Sequence, residues 1–140
     1  MDKAWIRNKK IDLKKVLKQV IRLKELAKKE IWQLYYDSEL DSLYFIPEKL
    51  PKDVVLMDLG GDYNLYLSEE SNLHGIFIEY FKSNYLMHEK ELKDIKDIFT
   101  VKIDGLNTVP NTKAVYVQKF EDFVEKDLLE EIIQEQKISL

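Results

Sequence analysis

Cysteine is absent from the 140 residues, which excludes a disulfide framework, cysteine-ligated zinc, iron–sulfur clusters and thiol catalysis. Histidine is scarce: the two, His74 and His88, leave most metalloenzyme and acid–base schemes short of ligands or bases. Four glycines and three prolines argue against glycine-rich nucleotide loops and long flexible linkers. No apolar run approaches the roughly 20 residues of a membrane span, and the basic N-terminal region lacks the continuous apolar stretch of a secretory signal. What is present is globular in balance, 45% apolar and 34% charged. The expectation is a soluble, cytoplasmic protein with residues 1–140 as a single domain.

The net charge of -4 hides a division. Residues 1–29 carry eleven Lys/Arg against three Asp/Glu, a balance of +8. The other 111 residues carry eleven basic and twenty-three acidic side chains, a balance of -12. Such asymmetry reads either as a polyanion-binding arm or as a basic element docked on an acidic body. Within that arm, residues 12–29 predict one helix with Asp12 as N-cap. Leu13, Val16, Leu17, Val20, Ile21, Leu23 and Ala27 recur at spacings of three and four, while Lys14, Lys15, Lys18, Arg22 and Lys29 gather on the opposite side.

From Ile31 onward the pattern becomes short β-rich segments: residues 31–36, 42–46, 53–59, 63–67 and 75–81. Gly60-Gly61-Asp62 suits a tight hairpin turn, and the short connections predict sequential antiparallel pairing, a meander. The fifth segment is apolar on both faces, which predicts cover on both sides. Further on, residues 88–99 predict a short helix with Leu92, Ile95 and Ile98 inward, and residues 100–103 and 113–118 read as strands around a loop at 104–111. Asp122 and Glu125 resemble a capping box opening an acidic helix that runs to about Gln136. The fold class is thus α+β: an antiparallel meander of about five strands (30–118) with a basic N-terminal helix (1–29) and an acidic C-terminal helix (119–140).

The chemistry-bearing residues form no known signature. Asp37, Glu39, Asp41 and Glu48 occupy positions 1, 3, 5 and 12 of a calcium loop, but Ser42 stands where the turn demands glycine and a strand follows at once. A metal nuclease needs converging carboxylates; Asp58, Asp62 and Glu79, with Lys82 nearby, lie at strand ends without the spacing that would place them on one face. His74 and His88 read as exposed or capping histidines. Walker, G-x-G-x-x-G, H-E-x-x-H and G-x-S-x-G motifs are missing. No catalytic residue, cofactor or metal is expected.

Aromatic residues offer more. Eight tyrosines, six phenylalanines and two tryptophans are many for this length, and tyrosine, apolar in body and polar at the tip, is enriched at interfaces. Tyr35, Tyr44, Tyr66 and Tyr80, in the β-rich region, are candidate protein-binding residues, joined by Glu121, Glu125, Glu130 and Glu131 of the acidic helix. Lys14, Lys15, Lys18 and Arg22 are the candidates for an alternative, nucleic-acid-binding role.

One stretch carries a family pattern. Tyr36-Asp37, Asp41-x-Leu43-Tyr44-Phe45, Val55-Leu56-x-Asp58 and Gly75-Ile76 with Glu79 nearby resemble a family of small bacterial domains of unknown function. Phe77 departs from the family's Gly-Ile-Glu. The resemblance implies a small antiparallel sheet, no known catalysis and, through members that look like partners in toxin–antitoxin-type pairs, a binding role. The expected function is a non-enzymatic protein-binding regulator of the antitoxin, immunity-protein or phage-inhibitor type. Its expected partner is a protein, a basic one by charge complementarity, with homodimerisation as a further option and no membrane. Nucleic-acid binding through the N-terminal helix is the alternative, and a metal-dependent enzyme with Asp58 and Glu79 as ligands a third class.

Overall fold

A computed structural model describes residues 11–136. Lys3, Arg7, Lys9 and Lys10 of the basic arm lie outside the described residues. The helix expected over 12–29 is two helices, α1 (Leu13–Ile21) and α2 (Leu23–Glu30), divided at Arg22. Asp12 is the N-cap as expected, its carboxylate accepting from Lys15 N at 3.1 Å. Tertiary hydrogen bonds flank the division. The Gln19 carboxamide reaches into the loop at 68–72, donating to Ser71 O (2.8 Å) and accepting from Leu73 N (2.8 Å), as a strand backbone would. On the far side of the break, Lys24 N is freed from an intrahelical partner, and the Glu125 carboxylate accepts from it at 3.1 Å. No residue between 12 and 29 is a helix breaker, so local sequence carries no sign of it.

The strands are β1 (Gln33–Asp37), β2 (Ser42–Ile46), β3 (Val55–Asp58), β4 (Asn64–Leu67), β5 (Leu73–Ile78), β6 (Val101–Ile103) and β7 (Leu106–Thr108). They make one antiparallel seven-stranded sheet in the order β3-β4-β5-β2-β1-β7-β6. Two expectations are corrected. The strand count is seven, not five. The meander also fails at one step, because β2 pairs with β5, so the β1–β2 hairpin and the β3–β4–β5 meander meet through the last strand rather than in sequence. The residues between β2 and β3 carry the chain past β5 and β4 to the sheet edge. The glycine pair lies in the β3–β4 turn as expected, but the turn is the loop 59–63 rather than a tight one, since Asp58 pairs with Asn64. Only Gly60 of the pair is at positive φ (90°), its N–H held by Asp58 Oδ1 at 2.7 Å.

After β5 the chain makes a π-helical turn, Phe81–Tyr85, with Tyr85 N on Tyr80 O at 3.0 Å, and runs into α3 (Leu86–His88) and a 3₁₀ segment, Lys90–Asp97. Leu92, Ile95 and Ile98 point inward as their spacing predicts. The expected strand at 113–118 is instead the end of a 3₁₀ turn (Asn111–Lys113) and the first turn of α4 (Ala114–Gln136), so Asp122 and Glu125 sit inside a helix and form no capping box. Asp122 binds the Lys24 ammonium at 2.6 Å.

One core explains the layering. Leu34, Phe45, Ile76 and Leu65 form an inner row across β1, β2, β5 and β4. Against it lie Val16, Leu17 and Val20 of α1, Leu23 and Ala27 of α2, and the four-residue repeat Phe120, Val124, Leu128, Ile132 of α4. Each of those α4 side chains is fully buried, worth about 1.5–3 kcal/mol relative to exposure. The basic helices therefore dock in cis on the acidic C-terminal helix. Among the described residues no helix is long and apolar enough to cross a membrane.

Candidate functional site

Because all helices of the core lie on the inner row's side, the pleat turns the alternate residues outward. Val101, Thr108, Tyr35, Tyr44, Phe77, Asn64 and Asp58 form one row across all seven strands. Tyr66 and Leu56 pair in the neighbouring row, with Tyr66 opposite Gly75. Glycine is required there: a Cβ at Gly75 would lie 2.6 Å from Ile46 Cγ2 and 3.2 Å from Tyr66 Cδ2. The two side chains close over the bare backbone, and Tyr44 stacks on Phe77 with centroids 5.1 Å apart. Tyr35, Tyr44 and Tyr66 are half-buried. Burial, and then the neighbouring Tyr44, push the Tyr66 hydroxyl up to about 12. Burial and then Asp37 raise Tyr44, and burial and then Glu48 raise Tyr35. All three hydroxyls thus remain protonated donors, with carboxylates beside two of them.

Of the expected protein-binding residues, the fold brings together Tyr35, Tyr44 and Tyr66. Tyr80 stands apart, exposed at φ 52° just after β5. The four glutamates belong to α4, on the helical side of the sheet, and divide between its ends. Glu125 caps α2, and half-buried Glu121 is raised by burial and by Asp122. Glu130 and Glu131 line a separate pocket with Gly61 and Asp62. Lys14, Lys18 and Arg22 are exposed, and Lys15 Nζ is bound to Glu70 O at 2.6 Å. Lys15, Lys18, Arg22 and Lys29 border a groove of about 640 Å³ with Ile21 and Leu26 in it and Glu25 as its one acid.

The pocket at the other end of α4, about 260 Å³, gathers acids that the sequence reading named separately, Asp62, Glu130 and Glu131, with Glu89 and Asp127, which it did not name. Asp62 in the β3–β4 turn, Glu89 after α3, and Asp127 and Glu130 of α4 all face it. His88 does not line the pocket but contacts two of these acids, its Nε2 2.8 Å from Asp62 Oδ2 and 3.6 Å from Glu89 Oε1. The Asp62 hydrogen bond raises the imidazole; burial pushes Glu89 up, and Asp127 adds to it. Beneath them two tyrosines with no solvent exposure form a relay. Tyr63 donates to Asp127 Oδ2 at 2.8 Å, and the 2.6 Å contact of the two hydroxyls is then Tyr85 donating to Tyr63. Among the described residues the metal-ligating side chains that converge are Asp62, His88 and Glu89, not Asp58 and Glu79. Asp58 is instead occupied with the Gly60 N–H.

No family model, curated protein or solved structure matches this chain. A function has to be argued from the surfaces themselves. The sequence puts His88 next to Glu89, but Asp62 and Asp127 are distant in the chain and no motif spacing relates them.

Proposed function

We propose that the protein acts by binding another protein, as antitoxins, immunity proteins and inhibitors do, and that the docking surface is the tyrosine-bearing face of the sheet. The observation that carries this reading is that, among the described residues, the core helices cover one face of the sheet. Its inner rows are packed by α1, α2 and α4, while the opposite face presents Tyr35, Tyr44, Tyr66, Ile46 and Leu56 half-buried. Large amphipathic side chains held rigid by stacking lose little entropy on binding and account for many interface hot spots. The carboxylates of Asp37 and Glu48 beside these rings, in a body carrying -12 outside its first 29 residues, favour a basic partner. The partial family resemblance over residues 34–80 agrees with a binding role.

The test places a photo-crosslinking residue at Tyr35, Tyr66 or Lys18 in turn, identifies the crosslinked partner, and measures affinity with purified components. Crosslinks from the first two positions, and a loss of at least about 10-fold for Tyr44→Ala and Tyr66→Ala with unchanged circular dichroism, are expected. Crosslinks from Lys18 alone, with affinity lost in a Lys14/Lys18/Arg22 charge reversal, would move the function to the helices. That second reading has its own observation, the cationic groove across the α1–α2 break. Its partner would be a nucleic acid, with affinity falling steeply as salt rises.

A further inference from the structure

We propose that Asp62, His88 and Glu89 form a binding site for one divalent transition-metal ion of the zinc class. The three ligand atoms lie within 4.8 Å of one another, contributed by the β3–β4 turn and the end of α3. An ion with ligand bonds of about 2.0–2.2 Å holds its donors roughly 3.3 Å apart in a tetrahedral site. The 2.8 Å His88–Asp62 contact needs only to open slightly, and the 3.6 Å His88–Glu89 contact is already close.

The imidazole is already turned to the acids, its Nε2 lying 2.8 Å from Asp62 Oδ2 and 3.6 Å from Glu89 Oε1. That orientation leaves Nδ1 on the far side of the ring, where a ligating histidine usually makes its outer hydrogen bond. The buried Tyr85–Tyr63–Asp127 relay fixes a further carboxylate at the pocket. Neither Lys nor Arg lines this concavity, so a cation is what its charge lacks. One imidazole among oxygen donors suits zinc, cobalt, nickel or manganese better than calcium or magnesium, which favour all-oxygen sets. The alternative is a protonated His88 paired with Asp62 and no metal at all. The site is independent of the proposed docking face, since none of its ligands belongs to the outward rows of the sheet.

The experiment uses the full chain after chelator treatment. Cobalt is added as a spectroscopic probe, zinc by calorimetry, with calcium as the comparison. Expected are one equivalent bound, a visible ligand-field band from cobalt, and a rise of several degrees in Tm at saturating zinc. His88→Ala and Asp62→Asn should each weaken zinc at least about 100-fold, and Glu130→Gln, a lining residue outside the ligand set, should change it less than about 3-fold. His88 is exposed enough that its removal leaves the fold intact, and circular dichroism with the metal-free Tm checks this. Absence of stoichiometric binding would overturn the proposal in favour of the ion pair. So would zinc binding that survives His88→Ala unchanged, or calcium bound as tightly as zinc.

Discussion

Asp41 shows how much one side chain can organise. It sits at φ 52°, a conformation that Asp and Asn tolerate better than most residues, and its carboxylate accepts from Tyr36 Oη (2.7 Å), Lys82 N (2.8 Å), Ser83 N (3.0 Å) and Ser83 Oγ (2.6 Å). Its own carbonyl takes Phe81 N at 2.9 Å, so the β1–β2 turn is tied to the π-helical turn that leads to His88. Burial pushes the carboxyl up, but the hydrogen bonds from Ser83, Lys82 and Tyr36 outweigh it and hold the group below its ordinary value. Asp41→Asn keeps the backbone preference but turns an amide toward donors, and should cost about 1–3 kcal/mol at neutral pH, read from urea unfolding. The sign of the pH dependence follows from the downward shift. The contribution is complete above the unfolded-state value near 3.8 and is lost as pH falls through the lower folded-state value. The gap between wild type and Asp41→Asn should therefore narrow below about pH 4; a gap that stays constant into that range would show that ionisation is irrelevant. The aspartate's role was not legible in the sequence, where position 41 looked like one more acid in a turn.

At the scale of elements, what was legible is what local periodicity records. β2 is where alternation placed it, and the other four early strands overlap their predicted segments, because outward Tyr and Asp alternate with inward Leu and Phe. The failures are instructive. Val115, Tyr116 and Val117 suggested a strand, but Tyr116 and Val117 pack on the core one turn before Phe120 and extend the α4 stripe backward, so tertiary burial overrides β propensity. Asp104-Gly105 falls in the expected loop at 104–111, yet Asp-Gly is a hairpin signal; both residues have positive φ, and β6 and β7 flank them. The α1–α2 break has no local signal, and the hydrogen bonds that flank it, Gln19 with the loop at 68–72 and Glu125 on Lys24 N, come from about 50 to 100 residues away; a stitch of this kind is one account of the break. Gln19→Ala tests this account. It strips partners from Ser71 O and Leu73 N and should cost about 1–3 kcal/mol, with hydrogen exchange accelerating first at Leu73. Gln19→Glu, unable to donate to Ser71 O, should recover only part of the loss. If both variants are as stable as wild type, the break belongs to the helix itself and not to the stitch.

For the molecule as a whole, the charge division turned out to be partly internal. The Lys24–Asp122 pair and the Glu125 cap show positive α2 lying along negative α4, so some of the +8 and -12 cancel in cis. Lys24 is exposed, and such a pair adds little stability. The rest of the charge is spatially sorted: Lys14, Lys18 and Arg22 outward on α1 and at its end, acids near the sheet face and in the Asp62 pocket. If the sheet face binds a basic protein as proposed, the two kinds of residue on it should affect different rate constants. Asp37 and Glu48 act at a distance, attracting and orienting the partner before contact, whereas Tyr44 and Tyr66 matter only once water is excluded. Asp37→Asn with Glu48→Gln should therefore lower the association rate several-fold and flatten its dependence on salt, leaving dissociation nearly unchanged. Tyr44→Ala should do the reverse, raising the dissociation rate at least about 10-fold while association and its salt slope stay close to wild type. Reversing Lys14, Lys18 and Arg22 should, if anything, speed association, because it removes repulsion between α1 and a basic partner. Surface plasmon resonance at several salt concentrations separates these outcomes. Slower association in the α1 reversal, with no response to the aspartate–glutamate pair, would mean that the partner is acidic and that the helices, not the tyrosines, receive it.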